Sequence, residues 1–311
     1  MTAFLKNYEF TCFGGPCLIA FYVEQDAELK ANEHVAELQN FLRVFQTKYS
    51  RFDSRSFVSE LAKKAGTGDK SVVDEQTFAL LTLCDELYTA TNGLFDASSG
   101  VLQTAWNFAS KKTPDPYDLE RLLELVDWKA VEWDSNSIYL PRSGMSLDFG
   151  GIGKEYACDL AASHLLAQGY RYGYINFGGD LRILGPHLDG QAWRCGIRHP
   201  DSANRAIDVV ELVGGCLATS GDYERGFTKN GRRYSHLLNP RTGYGVQTPF
   251  RSISILAEST TLAGAHATMG MLLTSSDAKE PDFKLADLPS PVLAVDHNMK
   301  ITRSNFHTDG C

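Results

Sequence analysis

The sequence predicts an α+β fold. Apolar runs of strand length often follow one another directly, helical patterns come in blocks, and no sustained strand-helix alternation of the doubly wound kind develops. Neither an internal repeat nor a low-complexity linker divides the chain, so residues 1–311 are read as one domain.

The first apolar run, Phe10 to Val23, is interrupted by Gly14-Gly15-Pro16 and reads as a strand pair or a bulged strand. Val35, Leu38, Phe41, Leu42, Phe45 and Tyr49 then recur at helical spacing and place one stripe against a core. Asp74 opens a second helix with Phe78, Leu81 and Tyr88 on one side and Asn92-Gly93 as its stop. The polar stretches Ser50 to Gly68 and Ser110 to Pro116 read as surface connections, and a third helix is expected near Asp118. Val131 to Leu147 alternates about Asp134-Ser135-Asn136 as a hairpin would. Further strands are expected at Tyr172 to Phe177, Leu181 to Leu184, Trp193 to Arg198, Ile207 to Val213, Ser252 to Leu256 and Val292 to Val295, with a helix at Thr261 to Leu273 between the last two.

A formal charge of -8 leaves no electrostatic footprint for nucleic acid or anionic lipid, so any phosphate must be handled locally. No run of about 18 apolar residues exists to span a bilayer, and Lys6 and Glu9 precede any signal-type apolar core. Seven cysteines (12, 17, 84, 158, 195, 216 and 311) without C-x-x-C spacing do not describe a disulfide framework; reduced thiols in a cytoplasmic protein are the expectation.

Chemistry concentrates in four segments. Leu147-Asp148-Phe149-Gly150-Gly151-Ile152-Gly153-Lys154-Glu155-Tyr156 runs into an amphipathic helix carrying Ala157, Leu160 and Leu165. Glycines ahead of a helix let backbone N–H groups approach an anion, and the helix N-terminus adds partial positive charge. The segment matches neither the P-loop nor the G-x-G-x-x-G spacing, and a tight turn with a solvated Lys154 is the alternative reading. Asn176-Phe177-Gly178-Gly179-Asp180 is either a hairpin turn capped by Asp180 or a close backbone approach to a ligand. Thr219-Ser220-Gly221-Asp222-Tyr223-Glu224-Arg225 suits a ligand or a capped turn equally. In Tyr234-Ser235-His236, followed by Asn239-Pro240-Arg241-Thr242-Gly243, a histidine able to take a proton from a hydroxyl precedes a constrained turn. Neither an H-E-x-x-H metal motif nor a G-x-S-x-G nucleophile elbow is present.

In this order, and together with Tyr49-Ser50-Arg51-Phe52, Gly93-Leu94-Phe95-Asp96 and Trp106, these segments resemble the FAD:protein FMN transferase (ApbE) family over nearly the whole chain. The resemblance implies a T-fold-like, two-lobed α+β architecture with FAD held between the lobes. It also implies transfer of FMN from FAD to a Ser or Thr of an acceptor flavoprotein, with release of AMP and a requirement for magnesium. By resemblance His236 is the base. Gly150, Gly151 and Lys154 form the pyrophosphate cradle, while Gly178, Gly179, Asp180, Ser220, Asp222 and Arg241 are cofactor contacts. Gly153, through its carbonyl, and Thr268 belong to the magnesium site. Family acceptors carry Asp-x-x-(Ser/Thr)-Gly-Ala-(Ser/Thr), which this chain lacks, so self-modification is not expected; a homodimer is left open.

Four positions depart from the family pattern: Gly264 replaces an Asp of the magnesium site, Gly153 an Ala, Asn239 an Asp, and Glu155 a Gly. Magnesium prefers hard oxygen ligands, carboxylates above all, so the loss at Gly264 predicts weak metal binding, borne mainly by FAD phosphates, Thr268 and backbone carbonyls. The alternatives to a working transferase are an FAD-binding homologue acting as flavin carrier or maturation partner, and an FAD pyrophosphatase in which water replaces the protein hydroxyl.

Overall fold

Strands β1 (Ala3–Cys12) and β2 (Gly15–Glu24) pair antiparallel along their full length in the computed structural model, which describes residues 3–108, 110–223, 226–278 and 282–306, at 232 the backbone alone. The strand pair expected from Phe10 is therefore the tip of a longer hairpin. Residues Ala3 to Glu9 of its outer strand carry no sequence signal, because they are exposed or half-buried and no sustained apolar run marks them.

Helix α1 (Glu28–Tyr49) buries Val35, Leu38, Leu42, Phe45 and Tyr49 as its stripe predicts, but Phe41 is 38% exposed. Ser50 to Gly68 is not wholly a surface connection. It contains α2 (Phe57–Lys63), whose N-terminus is capped by Ser56 and which buries Val58 and Leu61. Two buried residues in under two turns show too little period to be read from sequence. β3 (Ser71–Val72) precedes α3 (Glu75–Ala90), capped by Asp74 as expected, and α4 (Pro116–Leu123) is the helix expected near Asp118. β4 (Glu132–Trp133) and β5 (Ser137–Tyr139) form the expected hairpin, and β3 pairs with β5.

After α5 (Gly153–Ala167) come β6 (Gly173–Phe177), β7 (Asp180–Gly185), β8 (Trp193–His199), β9 (Ser202–Leu212) and β10 (Cys216–Gly221). β11 (Gly226–Lys229) and β12 (Arg232–Ser235) follow, then β13 (Phe250–Ala257), α6 (Thr260–Leu273), β14 (Val292–Asp296) and β15 (Ile301–Ser304). The main sheet has eight antiparallel strands in the order β1-β2-β6-β7-β10-β13-β14-β15. β10 is a strand at the centre of this sheet, whereas sequence read part of it only as a turn or ligand segment. Its residues Cys216, Leu217 and Ala218 are consecutively buried, so no period-two alternation marks it.

The sheet is covered on both faces. Helices α1, α5 and α6 lie on one side, where Phe21, Ile175 and Phe177 meet Leu38, Leu42, Ala161 and Leu165 in the largest core. On the other, the β8–β9 hairpin lays Trp193, Cys195, Ile197, Val210 and Leu212 over Ile183, Leu217 and Val295. A smaller aromatic cluster of Trp106, Phe227 and Tyr234 joins the β11–β12 hairpin to the segment before α4. Six cysteines, 12, 17, 84, 158, 195 and 216, are free and buried, and burial pushes the Cys17 thiol up to about 11; Cys311 lies outside the described residues. No helix among the described residues is long and apolar enough to cross a membrane.

Candidate functional site

The glycine turn is shaped by its own aspartate. Asp148 Oδ1 accepts the Gly150 N–H at 2.8 Å, the Asp148 N–H donates to the Ala97 carbonyl at 2.9 Å, and Arg51 Nε lies 3.4 Å from Asp148 Oδ2. The Phe149 carbonyl then accepts from Gly153 at 2.7 Å, and α5 begins with Ile152 at its N-cap and no side-chain cap. A fifteen-residue helix thus presents its positive end beside Gly150 and Gly151, both exposed.

Across from this turn, Gly178 and Gly179 make the β6–β7 hairpin, at φ +62° and +104°, backbone that a side chain would strain. Asn176 Oδ1 accepts the Gly179 N–H at 2.8 Å. Both readings of this segment are compatible here: it is a hairpin turn, and its glycines are exposed, with Gly178 beside the Lys154 side chain.

Lys154 is not a solvated first-turn residue. Its ammonium forms an ion pair with the buried carboxylate of Asp180 and lies 3.0 Å from Glu155 Oε1. Asp180 caps no amide of its own turn; its Oδ1 accepts the Thr219 N–H of β10 at 3.2 Å. On the same strand Ser220 Oγ lies 3.0 Å from Thr268 Oγ1 of α6. Four elements therefore meet: the start of α5, the β6–β7 turn, β10 and α6. Exposed glycines form the rim, and Lys154, Asp180, Ser220 and Thr268 form a largely buried polar floor.

Asp222 and Arg241 both have protein partners. Asp222 Oδ1 accepts from Arg251 Nε at 2.9 Å, and its carbonyl accepts from Arg233 at 2.7 Å, an arrangement that ties the end of β10 to β12 and β13. Arg241 donates to the carbonyls of Ala278 at 3.0 Å and Asn92 at 2.6 Å, so both terminal nitrogens hold backbone. Glu224 and Arg225, the end of that candidate segment, lie outside the described residues.

His236 is half-buried just after β12. Gln103 Nε2 reaches its carbonyl at 3.4 Å. The turn beyond is held as the sequence implies: Asn239 Oδ1 accepts the Arg241 N–H at 2.8 Å, the Asn239 carbonyl accepts from Gly243 at 2.8 Å, and Trp106 Nε1 donates to the Gly243 carbonyl at 2.9 Å. Asn239 thus serves the turn without a carboxylate.

Glu155 is the residue whose part sequence reasoning missed, although its departure from the family pattern marked it. It is 8% exposed and its Oε2 is buried without a hydrogen-bond partner. A β-carbon built on Gly264 would lie 2.5 Å from Glu155 Cγ. Among the described residues no group of three or more His, Cys, Asp or Glu could hold a metal by itself. The donors present at the start of α5 and on α6 are a carboxylate, the Thr268 hydroxyl and the Gly153 carbonyl, hard oxygens of the kind magnesium takes.

Comparison with known proteins agrees with the architecture. The model of the ApbE family matches residues 13–281. The FAD:protein FMN transferase of Vibrio cholerae is 27% identical over 259 residues, covering 81% of this chain and 77% of that protein. That of Treponema pallidum is 29% identical over 280 residues, covering 84% and 76%. The crystal structure of the ApbE protein of Thermotoga maritima superposes with a TM-score of 0.85 at 28% identity, covering 97% of each chain. The flavin transferase ApbE of Vibrio cholerae has the same fold, with a TM-score of 0.81 at 22% identity and 98% of each chain covered. With the family model matched across most of its length and the glycine turn, the β6–β7 turn and α6 assembled around one polar floor, this chain belongs to the ApbE family.

Proposed function

We propose that the protein is an FAD:protein FMN transferase, taking FMN from FAD and attaching it to a hydroxyl of an acceptor protein. The observation that carries this reading is the uncapped start of α5, with the Gly150-Gly151 and Gly178-Gly179 rims above the Lys154–Asp180 pair. Backbone N–H groups at a helix start and a nearby ammonium suit a pyrophosphate, and they suit the charge that builds on its oxygens during transfer.

In the reaction the acceptor oxygen attacks the phosphorus on the FMN side of the pyrophosphate. A phosphorus–oxygen bond to the acceptor forms, the bridging bond breaks, and AMP leaves with the bonding pair. His236 takes the hydroxyl proton as the proposed base, and the turn secured by Asn239 and Trp106 keeps its backbone in place. Magnesium, held by Thr268, the Gly153 carbonyl and a carboxylate, would supply neutralisation of phosphate charge. The acceptor is expected to be a flavoprotein carrying Asp-x-x-(Ser/Thr)-Gly-Ala-(Ser/Thr).

Incubation with FAD, magnesium and such an acceptor tests the reading. Flavinylated acceptor and AMP in equal amounts are expected. Free FMN and AMP without labelled acceptor would make the protein a pyrophosphatase, and unchanged FAD would make it a binding homologue.

A further inference from the structure

We propose that Glu155 supplies the carboxylate that this chain lacks at position 264, so that a divalent-cation site is kept with its acidic ligand moved from α6 to the first turn of α5. The proposal rests on reading the floor of the site as the place where FAD phosphates and a cation meet.

The two unusual positions are one change seen from two sides. A β-carbon at Gly264 would stand 2.5 Å from Glu155 Cγ, 3.2 Å from its Cδ and 3.4 Å from its Cβ. Glycine at 264 is therefore what lets the Glu155 side chain lie there. Any side chain at 264 would collide with it. Thr268 follows one helical turn later on α6, and residues four apart share a helix face. Glu155 thereby packs onto the face of α6 that also carries the Thr268 hydroxyl.

Charge points the same way. Lys154 is shared by two buried carboxylates, Asp180 and Glu155, and among the described residues neither carboxylate makes another ion pair. Two negative charges against one positive leave a net negative charge away from water, which is costly unless a cation joins them. Glu155 Oε2, buried and without a hydrogen-bond partner, is the atom with unused capacity. A buried carboxylate packed against Gly264, on the helix face that one turn later carries the Thr268 hydroxyl, offers the hard oxygens that a small divalent cation takes.

The test uses Mn2+ as probe, titrated by electron paramagnetic resonance into the FAD-loaded protein with no acceptor present; flavin fluorescence gives FAD affinity separately. Glu155→Gln keeps size and packing but removes the charge, and it should weaken Mn2+ binding by roughly tenfold or more while FAD affinity changes little. Gly264→Asp alone should bring no gain in Mn2+ affinity, because the new side chain meets Glu155. The pair Glu155→Gly with Gly264→Asp moves the carboxylate back to α6 and should restore Mn2+ affinity to near that of the unaltered protein. Mn2+ should also raise the melting temperature of the unaltered and doubly substituted proteins more than that of Glu155→Gln. Unchanged Mn2+ affinity in Glu155→Gln overturns the proposal and leaves Glu155 as a partner of Lys154 only. Absence of FAD binding by the unaltered protein would instead overturn the flavin reading beneath it.

Discussion

Lys154, in the first turn of α5, and Asp180, the first residue of β7, form the ion pair that joins the glycine turn to the β6–β7 hairpin. Asp180 is 3% exposed and also accepts from Thr219 of β10, so three elements depend on one carboxylate. Removing one partner from a buried pair leaves an uncompensated charge. Lys154→Met should destabilise the fold by about 3 kcal/mol, the low end of the range for buried pairs, because the lysine side chain is 26% exposed. Adding Asp180→Asn should recover part of the loss, since the amide oxygen still accepts from Thr219. Urea unfolding of the three proteins decides it; a single variant as stable as the unaltered protein would show that the pair is well solvated.

Selectivity among flavins should follow the cradle. Riboflavin has no phosphate and FMN lacks the AMP half, so FAD alone places a pyrophosphate at the uncapped start of α5. FAD is expected to bind more tightly than FMN by about 1.5–3 kcal/mol, the contribution of one further hydrogen bond to a charged group. Fluorescence titration measures this directly, and equal affinities would mean that the turn does not read the pyrophosphate.

His236→Ala should slow FMN transfer by about 10²–10⁴-fold, the usual range for a positioned base. FAD affinity should stay nearly constant, because the attack on phosphorus and not ground-state binding is affected. Single-turnover transfer and equilibrium FAD binding on the same variant separate the two effects. A fully active variant would assign the proton to another group.

Acid stability depends in part on Asp74, which caps α3. Burial raises its pKa, but hydrogen bonds from Lys48 and Thr77 outweigh that effect and hold it at about 2. The unfolded value is about 3.9, so the folded form binds fewer protons and the stabilisation is complete only above the unfolded pKa. It declines below about pH 4 and is lost as pH falls through about 2. The side chain is 59% exposed, and solvent screening limits the effect to under about 1 kcal/mol. Asp74→Asn should be slightly less stable at neutral pH, and the difference from the unaltered protein should shrink to nothing as pH falls below about 2. A difference that persisted at that pH would trace to lost cap geometry and not to charge.

By itself the sequence determined what local chemistry writes into consecutive residues. The stripe on α1, the Asp74 cap, the Gly178-Gly179 turn and the glycines ahead of α5 were legible because each depends on spacing or backbone freedom within a few positions. Together with the order of the segments they sufficed for the fold class and the family. Tertiary structure decided which side chains meet. β10 escaped notice because a central strand buried at successive residues shows no alternation, yet it carries Ser220 to Thr268, a partner 48 positions away. Lys154 finds Asp180 only because α5 starts beside the β6–β7 turn, and Asp222 faces Arg251 only because β10 pairs with β13. Read along the chain, Gly264 is a missing ligand and Glu155 an unexplained acid. Packed against each other, one makes room for the other, because the space a side chain occupies is set by the neighbouring helix and not by its own sequence neighbours.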